Sequence, residues 1–227
     1  MTVPGVVLAA GRSSRMGRPK ALLPAGGGET FLSRIVRALR EGGVREVVVV
    51  ASGDGPLREI RSALAPLSPE KAASPVVAPM SGTHPPARVV LNPDPSRGQL
   101  SSLLCGLEAI DRPDVAAMLL TLVDIPLVEP GTVRALLDAY ARTCAPVVRP
   151  VRADPAIGET PRTHGHPVIL DRALFDPLRA ADPAQGAKPV VRACEDRAIT
   201  VPVPGDGAFI DIDTPEAYQR VFGSVIE

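Results

Sequence analysis

Apolar residues recur along the chain at two spacings. Val3–Leu8, Val44–Ala51 and Val115–Val123 are apolar over most of their length, and Val44–Ala51 contains the β-branched run VVVVA. Continuous apolar runs of this length predict strands covered on both faces. Arg88–Leu91 adds a further short strand. Between these runs the apolar positions fall three and four residues apart, which predicts helices. Phe31–Arg40 carries Phe31, Ile35, Ala38 and Leu39 on one stripe and is stopped by Gly42 and Gly43. Leu57–Leu64 does the same with Leu57, Ile60, Ala63 and Leu64, Ser101–Ile110 with Leu103, Leu104, Leu107 and Ile110, and Gly131–Ala141 with Val133, Leu136, Leu137 and Tyr140. Strands alternating with helices predict an α/β protein built on a mostly parallel, doubly wound sheet.

Beyond Ala145 the pattern loses regularity. Pro146–Arg149 and Pro167–Leu170 read as strands that could pair as a hairpin set, with a polar loop Ala153–Gly165 between them. Leu174–Leu178 and Lys188–Cys194 read as short helices, Ile199–Val203 and Ala208–Ile212 as late strands, and Pro215–Phe222 as a closing helix. Pro66–Pro86 holds Pro66, Pro69, Pro75, Pro79, Pro85 and Pro86, which rules out a regular helix or a central strand there. The 227 residues are expected to form one domain with this segment as a surface excursion.

Composition narrows the partners. With 25 basic and 25 acidic residues the formal charge is zero, so neither nucleic acid nor an acidic membrane surface is expected to bind. Apolar runs stay short of the ~18 residues of a membrane span, and the first residues lack a basic-then-apolar leader. Cys105, Cys144 and Cys194 form no CxxC pair, which gives no zinc site or disulfide framework. Cys105 and Cys194 are expected to be buried free thiols, and a reducing cytoplasm is the expected location. Lysines are scarce, with only Lys20, Lys71 and Lys188, which makes each one worth locating.

Lys20 lies in the segment richest in chemistry, Leu8–Lys20, LAAGRSSRMGRPK. It follows the first predicted strand directly and combines Gly11, the hydroxyl of Ser13, and the cations Arg12, Arg15, Arg18 and Lys20. In a parallel sheet, ligands bind outside the carboxyl ends of the strands. A turn of exposed backbone N–H groups backed by cations suits a nucleoside triphosphate there. The spacing of Gly11 and Gly17 fits neither a Walker loop nor GxGxxG. The alternative is a solvated basic loop.

Two carboxylates add to this. Asp124 ends the apolar run of LLTLVDIP, which places it at the same sheet edge, with turn capping as its alternative. Asp213 sits in FIDIDTPE, where either it or Thr214 could cap the helix beginning near Pro215. Two carboxylates from different strands would form a hard oxygen site for magnesium, completed by water and phosphate oxygens.

LAAGRSSRMGRPK, RGQLSSLLCGL (Arg97–Leu107), LVDIP (Leu122–Pro126), GHPVI (Gly165–Ile169) and DIDTPEAY (Asp211–Tyr218) occur in the order seen in the MobA-like nucleotidyltransferases. The chain resembles most the molybdenum cofactor cytidylyltransferase branch, over nearly its whole length outside Pro66–Pro86. The resemblance implies a Rossmann-like three-layer αβα sandwich. It also implies transfer of an NMP from an NTP to a phosphate-bearing acceptor of the molybdopterin type, with release of pyrophosphate and dependence on Mg2+. By the same resemblance Leu8, Ala9, Ala10, Gly11 and Ser13 would lie along the nucleotide, with Gly98 and Ser102 closing over the base. Lys20 and Arg15 would bind the triphosphate and act in catalysis with Asp124, and Asp124 and Asp213 would hold the metal. Ala10, giving LAAG in place of LAGG, implies CTP over GTP. Ile125 stands where many relatives carry methionine, an apolar exchange of little consequence.

The resemblance also implies that His166 in HGHPV would contact the acceptor, its alternative being a strand-entry histidine held by backbone hydrogen bonds. Arg149, Arg152 and Arg162 flank the polar loop and could meet an anionic acceptor or simply be solvated. Two rival functions stay open: the same chemistry on a sugar phosphate or another small phosphomonoester, and a non-catalytic carrier that delivers the cofactor to a transient client enzyme.

Overall fold

A computed structural model of the chain describes residues 1–11, 13–65, 87–153 and 164–223. The predicted excursion at Pro66–Pro86 lies outside these residues. The element order is β1 (Gly5–Ala9), α1 (Phe31–Glu41), β2 (Val47–Ser52), α2 (Leu57–Ala63), β3 (Arg88–Asn92), α3 (Gln99–Ile110), β4 (Ala117–Leu122), α4 (Pro130–Thr143), β5 (Val147–Arg152), β6 (Val168–Asp171), α5 (Phe175–Arg179), α6 (Lys188–Arg192), β7 (Ile199–Val203) and α7 (Pro215–Phe222). The strands form one sheet in the order β3-β2-β1-β4-β6-β5-β7.

Six strands run the same way, and β6 alone is reversed. It pairs antiparallel with β4 through Leu120 and Val168, and antiparallel with β5 through Val148 and Ile169. The hairpin partnership expected of Pro146–Arg149 and Pro167–Leu170 is therefore present, as β5 beside β6. The strand expected at Ala208–Ile212 is not. That segment is irregular: Ile212 N–H donates to the Asp124 carbonyl (2.8 Å) and His166 N–H to the Ala208 carbonyl (2.8 Å), so its backbone binds loops at the strand ends and joins no ladder. An apolar stretch tied to loops has the same composition as one tied to a strand, which is why the two are confused in sequence.

Side chains alternate between the two faces of the sheet, as a strand requires. Val7, Val49, Ala51 and Leu119 meet α1, α4 and α7 on one side. Val6, Leu8, Val48, Val50, Met118 and Leu120 meet α3 and α5 on the other. Helices on both faces give the three-layer αβα sandwich. Helix α3 lies close against the sheet because residue 106 is glycine: a Cβ there would come within 2.5 Å of Val6 Cγ1 and 3.1 Å of Val50 Cγ2. That approach fixes where the amino end of α3 meets the end of β1. Thr30 caps α1 through a reciprocal pair of bonds with Ser33. Of the cysteines, Cys194 is buried as expected, Cys105 is only partly covered and Cys144 is exposed.

Candidate functional site

The carboxyl ends of β1, β2, β3 and β4 open onto one edge, where two recesses flank the loop after β1. One of about 210 Å³ is lined by Leu8, Ala10, Gly11, Ser13, Lys20, Gly98, Gln99, Ser102 and Asp124, among others. The second, about 450 Å³, lies on the other side of the loop against Ala9, Ser52, Asp54 and Asp94 and shares Ala10, Gly11, Ser13 and Lys20 with the first. Most residues singled out in sequence are thus brought together. Ala9 faces the larger recess only. Arg12 lies outside the described residues.

The loop is closed by its own side chains. Ser13, in the left-handed region at φ 48°, accepts a hydrogen bond from Lys20 N–H at 3.1 Å through its hydroxyl, and Met16, buried, anchors the middle of the loop. Lys20 is thereby held at the start of a short 3-10 turn, Lys20–Leu22, with its ammonium aimed back across the edge. Nζ lies 3.1 Å from Asp124 Oδ2 and also bonds Asp213 Oδ1. Arg15, largely exposed, stands 3.6 Å from Asp213 Oδ2.

Asp124 follows β4, where Val123 N–H still bonds the Leu8 carbonyl of β1 at 3.1 Å. Asp213 precedes α7, whose cap is the Thr214 hydroxyl accepting from Ala217 N–H at 3.2 Å. Capping is therefore done by Thr214, and the Asp213 carboxylate turns to the site. The Lys20 hydrogen bond first, then the Lys20 and Arg15 charges, hold the Asp213 carboxyl below its ordinary range against the opposing effect of partial burial.

Asp124 Oδ1 is buried and has no hydrogen-bond partner among the described residues. A buried carboxylate oxygen without a donor is costly unless a cation completes it. Together with Asp213 it offers the hard oxygen pair that magnesium takes when phosphate and water supply its other ligands. No cluster of three or more metal-ligating side chains occurs among the described residues. The donor set fits such a metal.

The opposite wall, at Gly98 and Ser102, is braced by a residue that sequence reasoning passed over. Asn92, 2% exposed at the end of β3, donates through Nδ2 to Ser101 Oγ (2.8 Å) and Ser102 Oγ (2.9 Å) and accepts from Asp94 N–H (3.0 Å). It ties the β3 loop to the amino end of α3. Gly98, at φ 90°, makes the turn into that helix in a region closed to most side chains. A polar residue ending an apolar strand, followed by Pro-Asp-Pro, was the available signal for Asn92.

His166 does not line either recess. It faces a third cavity, about 580 Å³, which adjoins the first across Leu8, Gln99 and Leu122. Its Nδ1 lies 3.4 Å from the Leu120 carbonyl, and burial pushes its pKa down, so the ring is neutral near neutral pH. Arg149 lines the same cavity, whereas Arg152 pairs with Asp206 at 2.8 Å and covers the Phe209 ring. Arg162 lies outside the described residues. No helix among the described residues is long and apolar enough to cross a membrane.

The profile of the MobA-like NTP transferase domain matches residues 5–198. Nicotine blue oxidoreductase of Paenarthrobacter nicotinovorans is 33% identical over 183 residues, spanning 76% of this chain and 72% of that protein. The "Probable molybdenum cofactor guanylyltransferase" of Rhodopirellula baltica is 28% identical over 198 residues, spanning 83% and 84%. Among solved structures, Rv0371c of Mycobacterium tuberculosis H37Rv matches with a TM-score of 0.74 at 27% identity over 99% of this chain and 98% of that one. A manganese complex of Rv0371c matches with a TM-score of 0.70 at 25% identity, over 99% and 100%.

Proposed function

The chain belongs to the MobA-like NTP transferase family, and from that premise we propose that it transfers the NMP of a nucleoside triphosphate, CTP by preference, to the phosphate of a small acceptor of the molybdopterin type, with Mg2+ as the metal. The observation that carries this reading is the convergence of Lys20, Asp124 and Asp213 at the open sheet edge, beside recesses lined by Ala10, Gly11, Ser13, Gly98 and Ser102. Cations facing a glycine-bearing loop suit a polyphosphate, and a carboxylate pair suits the metal that travels with it.

An oxygen of the acceptor phosphate attacks the α-phosphorus, the α–β anhydride bond breaks, and pyrophosphate leaves with the electron pair. The attacking phosphate is already ionised, so no side chain has to remove a proton. The work of the protein is positioning and charge neutralisation. Lys20, with Arg15 beside it, offsets charge on the α-phosphoryl oxygens and the leaving pyrophosphate. Asp124 and Asp213 would hold Mg2+, which when bound neutralises further triphosphate charge. The loop Ala9–Ser13 and the wall at Gly98 and Ser102 confine the nucleoside. His166, neutral, would bind the acceptor by hydrogen bonding.

The base preference rests on Ala10, which makes the motif LAAG. The relative from Rhodopirellula baltica carries a guanylyltransferase name, so the donor panel must contain both nucleotides. The test is pyrophosphate release from CTP, GTP, ATP and UTP with Mg2+ and a molybdopterin acceptor, with sugar phosphates alongside. Faster release from CTP supports the reading in full, and faster release from GTP overturns the role given to Ala10. If no NTP binds, the function itself falls. The likeness to nicotine blue oxidoreductase favours one second reading, an oxidoreductase. That chemistry has no use for two carboxylates bridged by a lysine, and NADPH titration followed by fluorescence separates the two.

A further inference from the structure

The third cavity contains a buried cation that the proposed transfer chemistry does not use. Arg149, in β5, is 7% exposed. One end of its guanidinium bonds Glu195 Oε1, while Nε has no hydrogen-bond partner among the described residues. Burying a guanidinium is costly unless its donors are satisfied. Glu195 is the weaker partner in position, since its side chain is half exposed and lies on the short 3-10 turn Glu195–Arg197 rather than in the sheet. An arginine held rigidly in a strand, bonded at one end by a carboxylate on the surface, has the geometry of an anion receptor with an internal anion seated in it.

The lining around it adds sign and shape. Lys188 and Arg192 stand on the α6 side, and among the described residues the lining contains neither Asp nor Glu. The facing side is apolar, built from Leu100, Leu103, Leu120 and Val168. At about 580 Å³ the cavity is larger than the 210 Å³ recess beside Lys20 and adjoins it across Leu8, Gln99 and Leu122.

We propose that this cavity binds the body of the acceptor, and that Arg149 grips an anionic group on it separate from the phosphate that receives the nucleotide. The acceptor class is then a phosphorylated molecule whose body presents an apolar face and which carries a second anionic substituent. A polyol or sugar monophosphate fits less well, because the hydroxyls on its face toward Leu100, Leu103, Leu120 and Val168 would lack partners. Glu195 acts as an internal competitor, displaced from Arg149 when the acceptor enters. Assigning the ligand as the acceptor rests on the nucleotidyl-transfer reading, but the anion site itself does not.

The experiment is calorimetric titration of the full chain with 2-naphthoate, with neutral 2-naphthol and with myo-inositol 1-phosphate, each without nucleotide. We expect 2-naphthoate to bind, Arg149→Met to weaken it at least about tenfold while leaving 2-naphthol unchanged, and inositol phosphate not to register. Glu195→Gln, a change on a half-exposed side chain, is expected to tighten 2-naphthoate about threefold to tenfold, a gain that a merely structural Arg149–Glu195 pair would not give. Unchanged or weaker binding in Glu195→Gln, or naphthoate binding indifferent to Arg149, overturns the proposal; if Arg149→Met does not fold, Glu195→Gln alone decides. CTP titration run in parallel keeps the readings apart: naphthoate binding without any NTP binding sinks the transferase reading and leaves the anion site standing, and the converse sinks only the anion site.

Discussion

Lys20 Nζ stands 3.1 Å from Asp124 Oδ2 and bonds Asp213 as well, so one ammonium joins carboxylates 104 and 193 residues further along the chain. Two carboxylates brought this close repel each other unless a cation lies between them. In the protein alone that cation is Lys20. With a magnesium nucleotide bound, the metal would take the carboxylates and Lys20 would turn to the phosphates.

Replacing Lys20 by Ala is therefore expected to leave the fold in place and slow pyrophosphate release by about 10²–10³-fold, the scale of removing one electrostatic stabiliser. Single-turnover kinetics at saturating nucleotide, with circular dichroism as the control for folding, check this. Turnover close to wild type would remove Lys20 from the mechanism.

The same variant makes a second and opposite prediction for metal alone. Without the ammonium, Asp124 and Asp213 lose the charge that competes with the metal, so Mn2+ should bind the nucleotide-free Lys20→Ala protein about 2–5-fold tighter than wild type, the factor equivalent to one partly exposed ion pair. Electron paramagnetic resonance of free Mn2+ measures it without any turnover. Weaker binding would mean that these carboxylates are not the metal's ligands.

Acid should erase the contribution of Asp213. Its carboxyl is held below the ordinary range, chiefly by the Lys20 hydrogen bond. The folded state therefore binds that proton less readily than the unfolded chain does, and the resulting stability is fully present above the ordinary Asp value of about 3.9. It is lost as pH falls from there through the depressed value. Urea midpoints of wild type and Asp213→Asn should differ at pH 7 and converge below about pH 4. A gap that widens on acidification would reverse the sign assigned to the pair.

Asn92→Ala removes three hydrogen bonds at a buried position and leaves the Asp94 N–H and the Ser102 hydroxyl short of a partner. The expected cost is about 1–3 kcal/mol, or a fall in Tm of several degrees. Because Asn92 reaches the site only by bracing the wall at Gly98 and Ser102, the variant should raise the KM for nucleotide more than it lowers kcat. Equal losses in both would argue that Asn92 touches the reacting groups.

Legibility in the sequence followed the reach of the interactions. The strands and helices up to Thr143 are marked by local periodicity, and so is the loop from Leu8 to Lys20, because a strand end, a glycine and its cations are adjacent in sequence. Asp124 was legible for the same reason. What the sequence left open was decided by contacts between distant segments. Asp213 and Thr214 were both candidates for the α7 cap, Thr214 the stronger, and in the structure the hydroxyl takes it while the carboxylate turns to Lys20. The segment Ala208–Ile212 carries strand composition, yet its N–H and C=O groups bond the loops at Asp124 and His166. Arg149, Arg152 and Arg162 were indistinguishable by type, and the fold buried Arg149 in a cavity while pairing Arg152 with Asp206.

The reversal of β6 has a consequence for how such a protein can change. A strand inserted backwards between β4 and β5 delivers its beginning, at His166 and Val168, to the rim where its neighbours deliver their ends. The rim is thus assembled from two kinds of joint: chain leaving the sheet on the nucleotide side, and chain entering it on the side of Arg149 and His166. If the acceptor binds there, a substitution or length change ahead of β6 would alter what is recognised while β1, its loop and Lys20 keep their register. On the proposed reading the fold would separate donor from recipient, so that the recipient could drift while the donor stayed put.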